Sequence, residues 1–250
     1  MNTIDRLYWW LKRIIAPDLR YCQEEFEDTL TAAIQPQSRW LDLGCGHSVL
    51  PPWRSDAERQ LTARPRQVVG LDRDMSSLRR HETISALVRG DISRLPFRDE
   101  SFSLVTCNMV FEHLEQPEAQ LREIRRVLAP GGELVFLTPN TVGYTTLLAR
   151  LIPEFLKDSI IRFIEGRESH HVFPTFYRIN SPRQIEQSVR ESGLVPKEIR
   201  LIPSAAQLRK VPPLLVLELL WIRLTMIEAF KGLRTNMIVR CARPRSEPGR

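Results

Sequence analysis

The stretch that decides the fold is RWLDLGCGHSVLPPW, residues 39–53. Three apolar residues surround Asp42, and Gly44 and Gly46 follow directly. A short apolar run that ends at glycines is typical of a buried strand that enters a tight turn. Glycine at such a turn lets the backbone approach a ligand where a Cβ atom would collide. The stretch therefore predicts a strand followed by a ligand-binding loop.

Four further apolar runs follow this stretch and also predict buried strands. They are QVVGLD (67–72), SALVRGD (85–91), FSLVTCN (102–108) and GELVFLTPN (132–140). Before the last run, Leu121, Ile124 and Leu128 recur at helical spacing, and the sequence Pro-Gly-Gly at 130–132 predicts a sharp end to that helix. Strands that alternate with helices predict an α/β fold, a Rossmann-like, doubly wound and mostly parallel sheet.

The rest of the chain predicts late strands at 194–202 and 235–243, separated by helical segments. Residues 181–193 predict a helix capped by Ser181 and Gln184 and ended by Gly193. We therefore expect an N-terminal helical cap, residues 1–38. One α/β domain, residues 39–245, follows, with helical insertions at about 141–180 and 204–234.

The 250 residues carry a formal charge of +6, which is unevenly distributed. Residues 1–139 hold 18 Lys and Arg against 20 Asp and Glu, whereas residues 140–250 hold 18 against 10. The basic part suits an anionic membrane or a phosphorylated molecule; the alternative is that it reflects only a generally arginine-rich composition. Nucleic acid is not expected, because the chain has no zinc knuckle, aromatic RNA-binding motif or long Lys/Arg block. Four dispersed cysteines without a C-x-x-C pair predict no metal site and a cytoplasmic location.

Polar residues fall at or just before the ends of four predicted strands, at Asp42, Asp72, Asp91 and Asn108. In an open α/β sheet, ligands bind beyond the carboxyl ends of the strands. A carboxylate at the end of the second strand can accept hydrogen bonds from two adjacent ribose hydroxyls. The pattern therefore predicts a ligand that contains a nucleoside.

Two classes of nucleoside cofactor compete for this site. A dinucleotide fingerprint needs a third glycine at position 49, which is valine, and an acidic residue about 20 residues on. Asp72 lies 28 residues after Gly44, and prolines at 51 and 52 disturb the helix start that would hold a pyrophosphate. A cofactor with an ammonium group and no phosphate suits Asp42 better. An NAD(P)-dependent oxidoreductase is the alternative.

Four ordered blocks carry a specific resemblance. They are LDLGCG (41–46), VVGLDRD (68–74), RGDISRLPFRDESFSLVTCNMVFEHL (89–114) and LREIRRVLAPGGELVFLTPN (121–140). Together they resemble the class I S-adenosylmethionine-dependent methyltransferases, especially the type 11 subgroup. The resemblance is strong over about residues 39–140 and weaker over 181–243. It implies a methyltransferase that uses S-adenosylmethionine as its cofactor.

The resemblance implies how the cofactor is held. Asp42 would meet the methionine ammonium group, and Asp72 would accept from the ribose hydroxyls. Arg73 would flank the adenine, whose edge would meet Asp91 and Ile92. The complete set that the resemblance implies is Asp42, Gly44, Cys45, Gly46, Asp72, Arg73, Asp91, Ile92 and Asn108. Ser48 departs from the family, since many members have a third glycine there.

The acceptor site is less clearly marked in the sequence. Methyl transfer needs a general base only for a protonated acceptor, and histidine is the usual candidate near neutrality. His113 follows the fourth strand, and the loop ESHHVFPTFYR contributes His170, His171 and Tyr177. The alternatives are that His113 packs against the next helix and that the loop is a solvated one. A non-catalytic scaffold with the same pocket is a third hypothesis for the whole protein.

Two amphipathic stretches bear on the acceptor. LYWWLKRII (7–15) combines aromatic and basic residues, and residues 211–230 are strongly apolar but contain Glu218, Arg223 and Glu228. These charges argue against a membrane-spanning helix. We expect a small-molecule or an amphiphilic, lipid- or glycan-linked acceptor, and contact with the inner face of a membrane. The alternative is that the second stretch packs on the domain.

Overall fold

The computed structural model describes residues 3–151 and 174–245. Seven strands form one sheet in the order β3-β2-β1-β4-β5-β7-β6. The strands are β1 Arg39–Leu43, β2 Gln67–Asp72, β3 Ala86–Arg89, β4 Phe102–Asn108, β5 Leu128–Pro139, β6 Val195–Ile202 and β7 Asn236–Ala242. The first five pair in parallel. This mostly parallel sheet with intervening helices confirms the predicted fold class.

Eight α-helices lie in the described part of the chain. They are α1 Thr3–Ile15, α2 Cys22–Ala33, α3 Ser55–Thr62, α4 Met75–Leu78, α5 Pro117–Val127, α6 Tyr144–Leu151, α7 Pro182–Glu191 and α8 Pro212–Met226. Three short 3₁₀ helices span Pro52–Arg54, Phe111–His113 and Glu228–Leu233. None of the helices in these described ranges is both long and apolar enough to cross a membrane.

The register of the sheet brings the ends of its central strands together. Asp42 lies opposite Gly70 of β2 and opposite Thr106 of β4. β1 therefore occupies the middle of the parallel part of the sheet, and its neighbours bury most of its side chains. As in other parallel sheets, the loops that follow β1, β2 and β4 leave from the same edge.

The beginning of β5 corrects one prediction. The Pro-Gly-Gly sequence at 130–132 does not end a helix, because α5 has already ended at Val127 and β5 begins at Leu128. The Gly131 N–H donates to the Arg243 carbonyl (3.0 Å), and the Arg243 N–H donates to the Gly132 carbonyl (2.9 Å). Pairing with the chain that continues β7 therefore keeps these glycines in the strand. Gly131 adopts a φ of +78°, which marks an irregularity in the strand.

Helix α7 confirms its predicted start and end. The Gln184 N–H donates to the Ser181 hydroxyl (3.4 Å), and Pro182 occupies the first helical position. Gly193, just past the end, has a φ of +79°. The side chains differ from a full capping box, since the Ser181 hydroxyl donates to Gln184 Oε1 (2.7 Å).

The chain divides into two compact units. The first comprises Met1–Glu24, Pro139–Pro174 and Leu201–Met237, and its described core includes Tyr8, Leu215 and Leu219. The second comprises Glu25–Thr138, Thr175–Arg200 and Ile238–Arg250 and holds most of the sheet. The predicted division into residues 1–38 and 39–245 stays a prediction. Much of the insertion expected at 141–180 lies outside the described residues.

Candidate functional site

The loop after β1 turns on two glycines. Gly44 and Gly46 have φ angles of +69° and +55°, a conformation that side chains other than glycine rarely adopt. The Gly44 N–H donates to the Leu71 carbonyl (2.7 Å), which draws the loop over the end of β2. A Cβ atom at Gly44 would lie 2.4 Å from Val110 Cγ2, so glycine is required there by the protein itself. A Cβ atom at Gly46 would meet no heavy atom within 4 Å, which leaves that side of the loop open to a ligand.

Cys45, between these glycines, is a buried packing residue. A Cβ atom at Gly70 of β2 would lie 2.7 Å from Cys45 Sγ and 2.9 Å from Leu87 Cδ2. Burial raises the pKa of the Cys45 thiol far above its ordinary value. Its contribution to the loop is therefore steric rather than nucleophilic.

Asp72 joins the loops after β1 and β2. The Gly46 N–H donates to Asp72 Oδ2 (2.9 Å), and the Asp74 N–H donates to Oδ1 (2.8 Å). A carboxylate oxygen can accept two hydrogen bonds, so both oxygens of Asp72 retain capacity for a further donor. This arrangement fits a pair of ribose hydroxyls, the role that the sequence predicts for Asp72.

Asp42 lies almost entirely out of water, with 3% of its surface exposed. The Thr106 hydroxyl donates to Asp42 Oδ1, and the Trp40 indole N–H donates to Thr106 Oγ1 (2.7 Å). Burial raises the pKa of Asp42 to about 7. A buried carboxylate of this kind gains from a nearby cation, so its environment fits an ammonium partner. That partner stays a prediction.

Asp91 and Arg73 come together after β3 and β2. The Arg73 guanidinium lies 2.7 Å from Asp91 Oδ2, and the Ser93 N–H donates to Asp91 Oδ1 (2.7 Å). Partial burial opposes ionisation, but the hydrogen bonds from Ser93 and the charge of Arg73 outweigh it and lower the pKa of Asp91. Ile92, the other residue predicted for the adenine edge, is buried.

Asn108 ends β4 beside the first loop. Its side-chain nitrogen lies 3.5 Å from the Val49 carbonyl oxygen. Met109, the next residue, has a φ of +54°, and its N–H donates to the Leu137 carbonyl (2.9 Å). This sharp turn leads into the 3₁₀ helix at 111–113. The structure thus brings the loop after β1 together with Asp72 on one side and Asn108 on the other.

Two of the four acceptor candidates lie in neighbouring segments. His113 is half-buried in the 3₁₀ helix, and Tyr177 has a left-handed φ of +50°. Between them, the Glu112 carbonyl accepts from the Phe176 N–H (2.8 Å) and the Tyr177 N–H (3.1 Å). The other two candidates, His170 and His171, lie outside the described residues.

Glu58 of α3 is a supporting residue that sequence reasoning missed. It is 2% exposed and accepts from the Leu50 N–H (3.0 Å) and from the Thr83 hydroxyl. It therefore anchors the far end of the loop after β1. In SDAERQLT it resembles an ordinary solvated helix residue, so no local pattern marks it. Thr106 was missed as well, although its place opposite Asp42 follows from the strand register.

Ser48 does not occupy a position that needs glycine. The described residues other than glycine that have a positive φ are Glu100, Met109 and Tyr177. The backbone at Ser48 is therefore accessible to any residue. Within residues 3–151 and 174–245, no three His, Cys, Asp or Glu side chains are grouped so that they could hold a metal ion.

A family model described as a methyltransferase domain, of the type 11 methyltransferases, matches residues 41–136. The match contains the loop after β1, Asp72, Asp91 and Asn108. The chain carries a type 11 methyltransferase domain. The sequence resemblance to the class I S-adenosylmethionine-dependent methyltransferases is thereby confirmed, and S-adenosylmethionine is the cofactor of such a domain.

Curated relatives and solved structures extend this result. Malonyl-[acyl-carrier protein] O-methyltransferase of Methylococcus capsulatus is 32% identical over 72% of this chain and 60% of its own length. The mitochondrial ubiquinone biosynthesis O-methyltransferase of Schizosaccharomyces pombe is 27% identical over 64% of this chain and 56% of its own. The chain thus spans less than two thirds of either relative. A crystal structure of an S-adenosylmethionine-dependent methyltransferase from Mesorhizobium loti has the same fold, with a TM-score of 0.55 at 19% identity over 86% of this chain and 96% of its own.

Proposed function

We propose that the whole protein transfers a methyl group from S-adenosylmethionine to a small-molecule acceptor or to a lipid- or glycan-linked one. The observation that carries the proposal is Asp72, which holds the loop after β1 in place while both its oxygens retain capacity to accept hydrogen bonds. Type 11 methyltransferase domains use this cofactor, and the relatives are named as methyltransferases.

The residues of this chain would bind and orient the donor. S-adenosylmethionine, when bound, supplies both the methyl group and its leaving group. Asp42 would balance the ammonium group, Asp72 would hold the ribose, and Asp91 with Ile92 would meet the adenine edge. Alignment of two reactants can contribute roughly 7–11 kcal/mol to the lowering of a barrier without any side chain reacting. The loop at 44–46 and Asn108 would complete this alignment.

The acceptor would bind beside the turn that follows β4. His113 and Tyr177 are proposed to line its pocket, supported by the hydrogen bonds that hold residues 176 and 177 to the Glu112 carbonyl. A protonated acceptor such as a hydroxyl would use His113 as general base. The two relatives are named as O-methyltransferases, which supports an oxygen acceptor as the first class to test.

An NAD(P)-dependent oxidoreductase is not favoured. Position 49 is valine, and the chain after the glycines enters a 3₁₀ helix at Pro52–Arg54 rather than a long helix that could receive a pyrophosphate. A non-catalytic scaffold would keep the cofactor site and lack turnover, so only an activity measurement separates it from the enzyme.

The first test measures stabilisation by ligand. S-adenosylmethionine or S-adenosylhomocysteine should raise the melting temperature by mass action, and NAD should not. Asp72→Ala should remove most of this rise, while Asp56→Ala, at a side chain that is 92% exposed on α3, should keep it. A normal rise in Asp72→Ala would refute the proposed ribose contact, and stabilisation by NAD alone would refute the proposed cofactor.

The second measurement addresses turnover. The protein is incubated with S-adenosylmethionine labelled in its methyl group and with fractionated extract. An active enzyme transfers label to one fraction and forms S-adenosylhomocysteine. Binding without label transfer in any fraction would support the scaffold instead.

The proposed location is the cytoplasm, at the inner face of a membrane. Four free and buried thiols support a reducing compartment. The excess of basic residues in 140–250 supports attraction to an anionic surface.

A further inference from the structure

Helix α1 presents aromatic and cationic side chains to solvent. Tyr8 is fully buried on one side of the helix, whereas Trp10 is 59% and Ile14 is 61% exposed. Arg6 and Arg13 are exposed on the same side as these two residues, at helical spacings of three and four. The outward side of α1 therefore combines positive charge with large apolar surface.

Helix α8, in the same compact unit, is apolar apart from Glu218, which is buried, and Arg223, which lies 3.4 Å from Asp18. Leu215, Leu219 and Ile222 pack in the core of the unit. On its outward side, Leu217 is 63% and Leu220 is 51% exposed. A helix that is apolar all round is normally covered by another surface. Such a helix at the surface of a soluble domain calls for a partner.

The charge of this unit favours an anionic partner. Its described residues hold ten Lys and Arg against five Asp and Glu. At least four of the five acidic groups are already engaged, among them Glu24, which accepts from the Tyr21 N–H (3.1 Å). Glu218 is buried and accepts from the Gln207 and Leu208 N–H groups. Asp18 lies 3.4 Å from Arg223, and Glu228 lies 2.7 Å from Lys231. Much of the positive charge therefore acts outward.

We propose that the outward sides of α1 and α8 dock onto an anionic lipid bilayer. This interfacial surface consists of Arg6, Trp9, Trp10, Arg13, Ile14, Leu214, Leu217, Leu220 and Trp221. Tryptophans anchor at the level of the headgroups, and arginines beside them attract anionic lipids. The proposal rests on the peripheral location proposed above but not on the proposed chemistry.

The experiment is flotation of the full-length protein with lipid vesicles. Vesicles of phosphatidylcholine and phosphatidylglycerol should carry the protein at low salt, and vesicles of phosphatidylcholine alone should carry much less. High salt should release it, because screening weakens the attraction of the arginines. Tryptophan emission should shift to shorter wavelength on binding, as Trp10 leaves water.

Two double variants separate the charge from the apolar surface. Arg6→Ala with Arg13→Ala should weaken binding to anionic vesicles roughly 30-fold at low salt, about fivefold for each basic residue. Trp10→Ala with Leu217→Ser should remove most of the binding and, with it, most of the shift in emission. The matched control is Trp53→Ala, since Trp53 is 72% exposed in the other unit and should have no effect.

Stabilisation by S-adenosylhomocysteine is measured on every variant. All variants should keep this stabilisation, because none of the substituted residues belongs to the proposed cofactor site. Loss of vesicle binding is therefore distinguishable from loss of the cofactor site. Three results would overturn the proposal: no flotation of the wild-type protein with anionic vesicles, wild-type flotation of the Trp10/Leu217 variant, or a stable dimer that this variant dissociates.

Discussion

Asp42 links the sheet to the pH dependence of stability. Its pKa is raised by burial to about 7 in the folded protein, from 3.8 for an ordinary aspartate. Below about pH 4 the group is protonated in both states, and its contribution to stability is complete. As the pH rises towards 7, the unfolded chain releases the proton and the folded chain does not. The free energy of unfolding therefore falls, by at most about 1.4 kcal/mol per pH unit for this one group.

Asp42→Asn should remove this part of the pH dependence. The amide keeps an oxygen for the Thr106 hydroxyl and has no proton to release. The free energy of unfolding is measured in urea at about pH 5 and at a pH above 7. Between these two pH values, the variant should lose less stability than the wild-type protein loses. Asp99→Asn, at a side chain that is 73% exposed, is the control. Equal slopes for wild type and Asp42→Asn would contradict the raised pKa.

Single residues differ in how much the sequence reveals about them. Asp42 and Asp72 were found because they interrupt or end apolar runs, a pattern visible without any contact. Thr106 and Glu58 were missed because their roles depend on partners 64 and 25 residues away. A threonine in a strand and a glutamate in a helix are ordinary residues until the fold supplies those partners.

Helix α3 supports the site through one side chain, and this gives a prediction at the level of the element. Glu58→Ala would leave the Leu50 N–H and the Thr83 hydroxyl without this acceptor. Loss of a partner to a buried polar group costs about 1–3 kcal/mol for each group. We expect lower stability in urea and weaker binding of S-adenosylhomocysteine.

Asp56→Ala is the matched control, since it lies two residues earlier on the same helix with its side chain 92% exposed. Its stability should stay within about 0.5 kcal/mol of the wild-type value. If Glu58→Ala behaved like this control, the loop after β1 would not depend on α3.

The helices and strands were predictable where a local signal decides them. Ser181, Pro182 and Gly193 fix α7, because caps and glycine turns act within a few residues. The start of β5 was not predictable in the same way. Its glycines at 131 and 132 are held in the strand by Arg243, more than 100 residues away, and local propensity indicated a stop.

All four cysteine thiols are buried, and a single thiol-reactivity measurement can test the burial of all of them. All four cysteines are free and buried, and burial raises the pKa of each, that of Cys241 to about 12. Because the thiolate is the reactive form, Ellman's reagent should modify none of them rapidly in the native protein. All four should react in denaturant.

Slow residual reaction at Cys45 should become slower still with S-adenosylhomocysteine, since ligand binding suppresses opening of the loop. Cys241, in β7, is the internal control and should be unaffected by the ligand. A thiol that reacts with the native protein within seconds would contradict the burial described for it.

At this largest scale the fold class followed from the alternation of strands and helices. The division into two compact units did not, because the first unit collects three segments that are far apart in the chain. Contacts between such segments depend on side-chain packing, as between Tyr8 and Leu215, and leave no periodic mark in the sequence.

The contact between Gly70 and Cys45 has a consequence for how the sequence can evolve. The sulfur of Cys45 fills the space into which any side chain at position 70 would have to grow. A change from Gly70 to alanine is therefore costly while cysteine is present. It becomes less costly once position 45 is glycine, because only the flexible end of Leu87, 2.9 Å away, must then shift. The change at position 45 must therefore come before the change at position 70 if the intermediate protein is to avoid this cost. Among homologues, positions 45 and 70 should covary: a larger residue at one of them should accompany a smaller residue at the other.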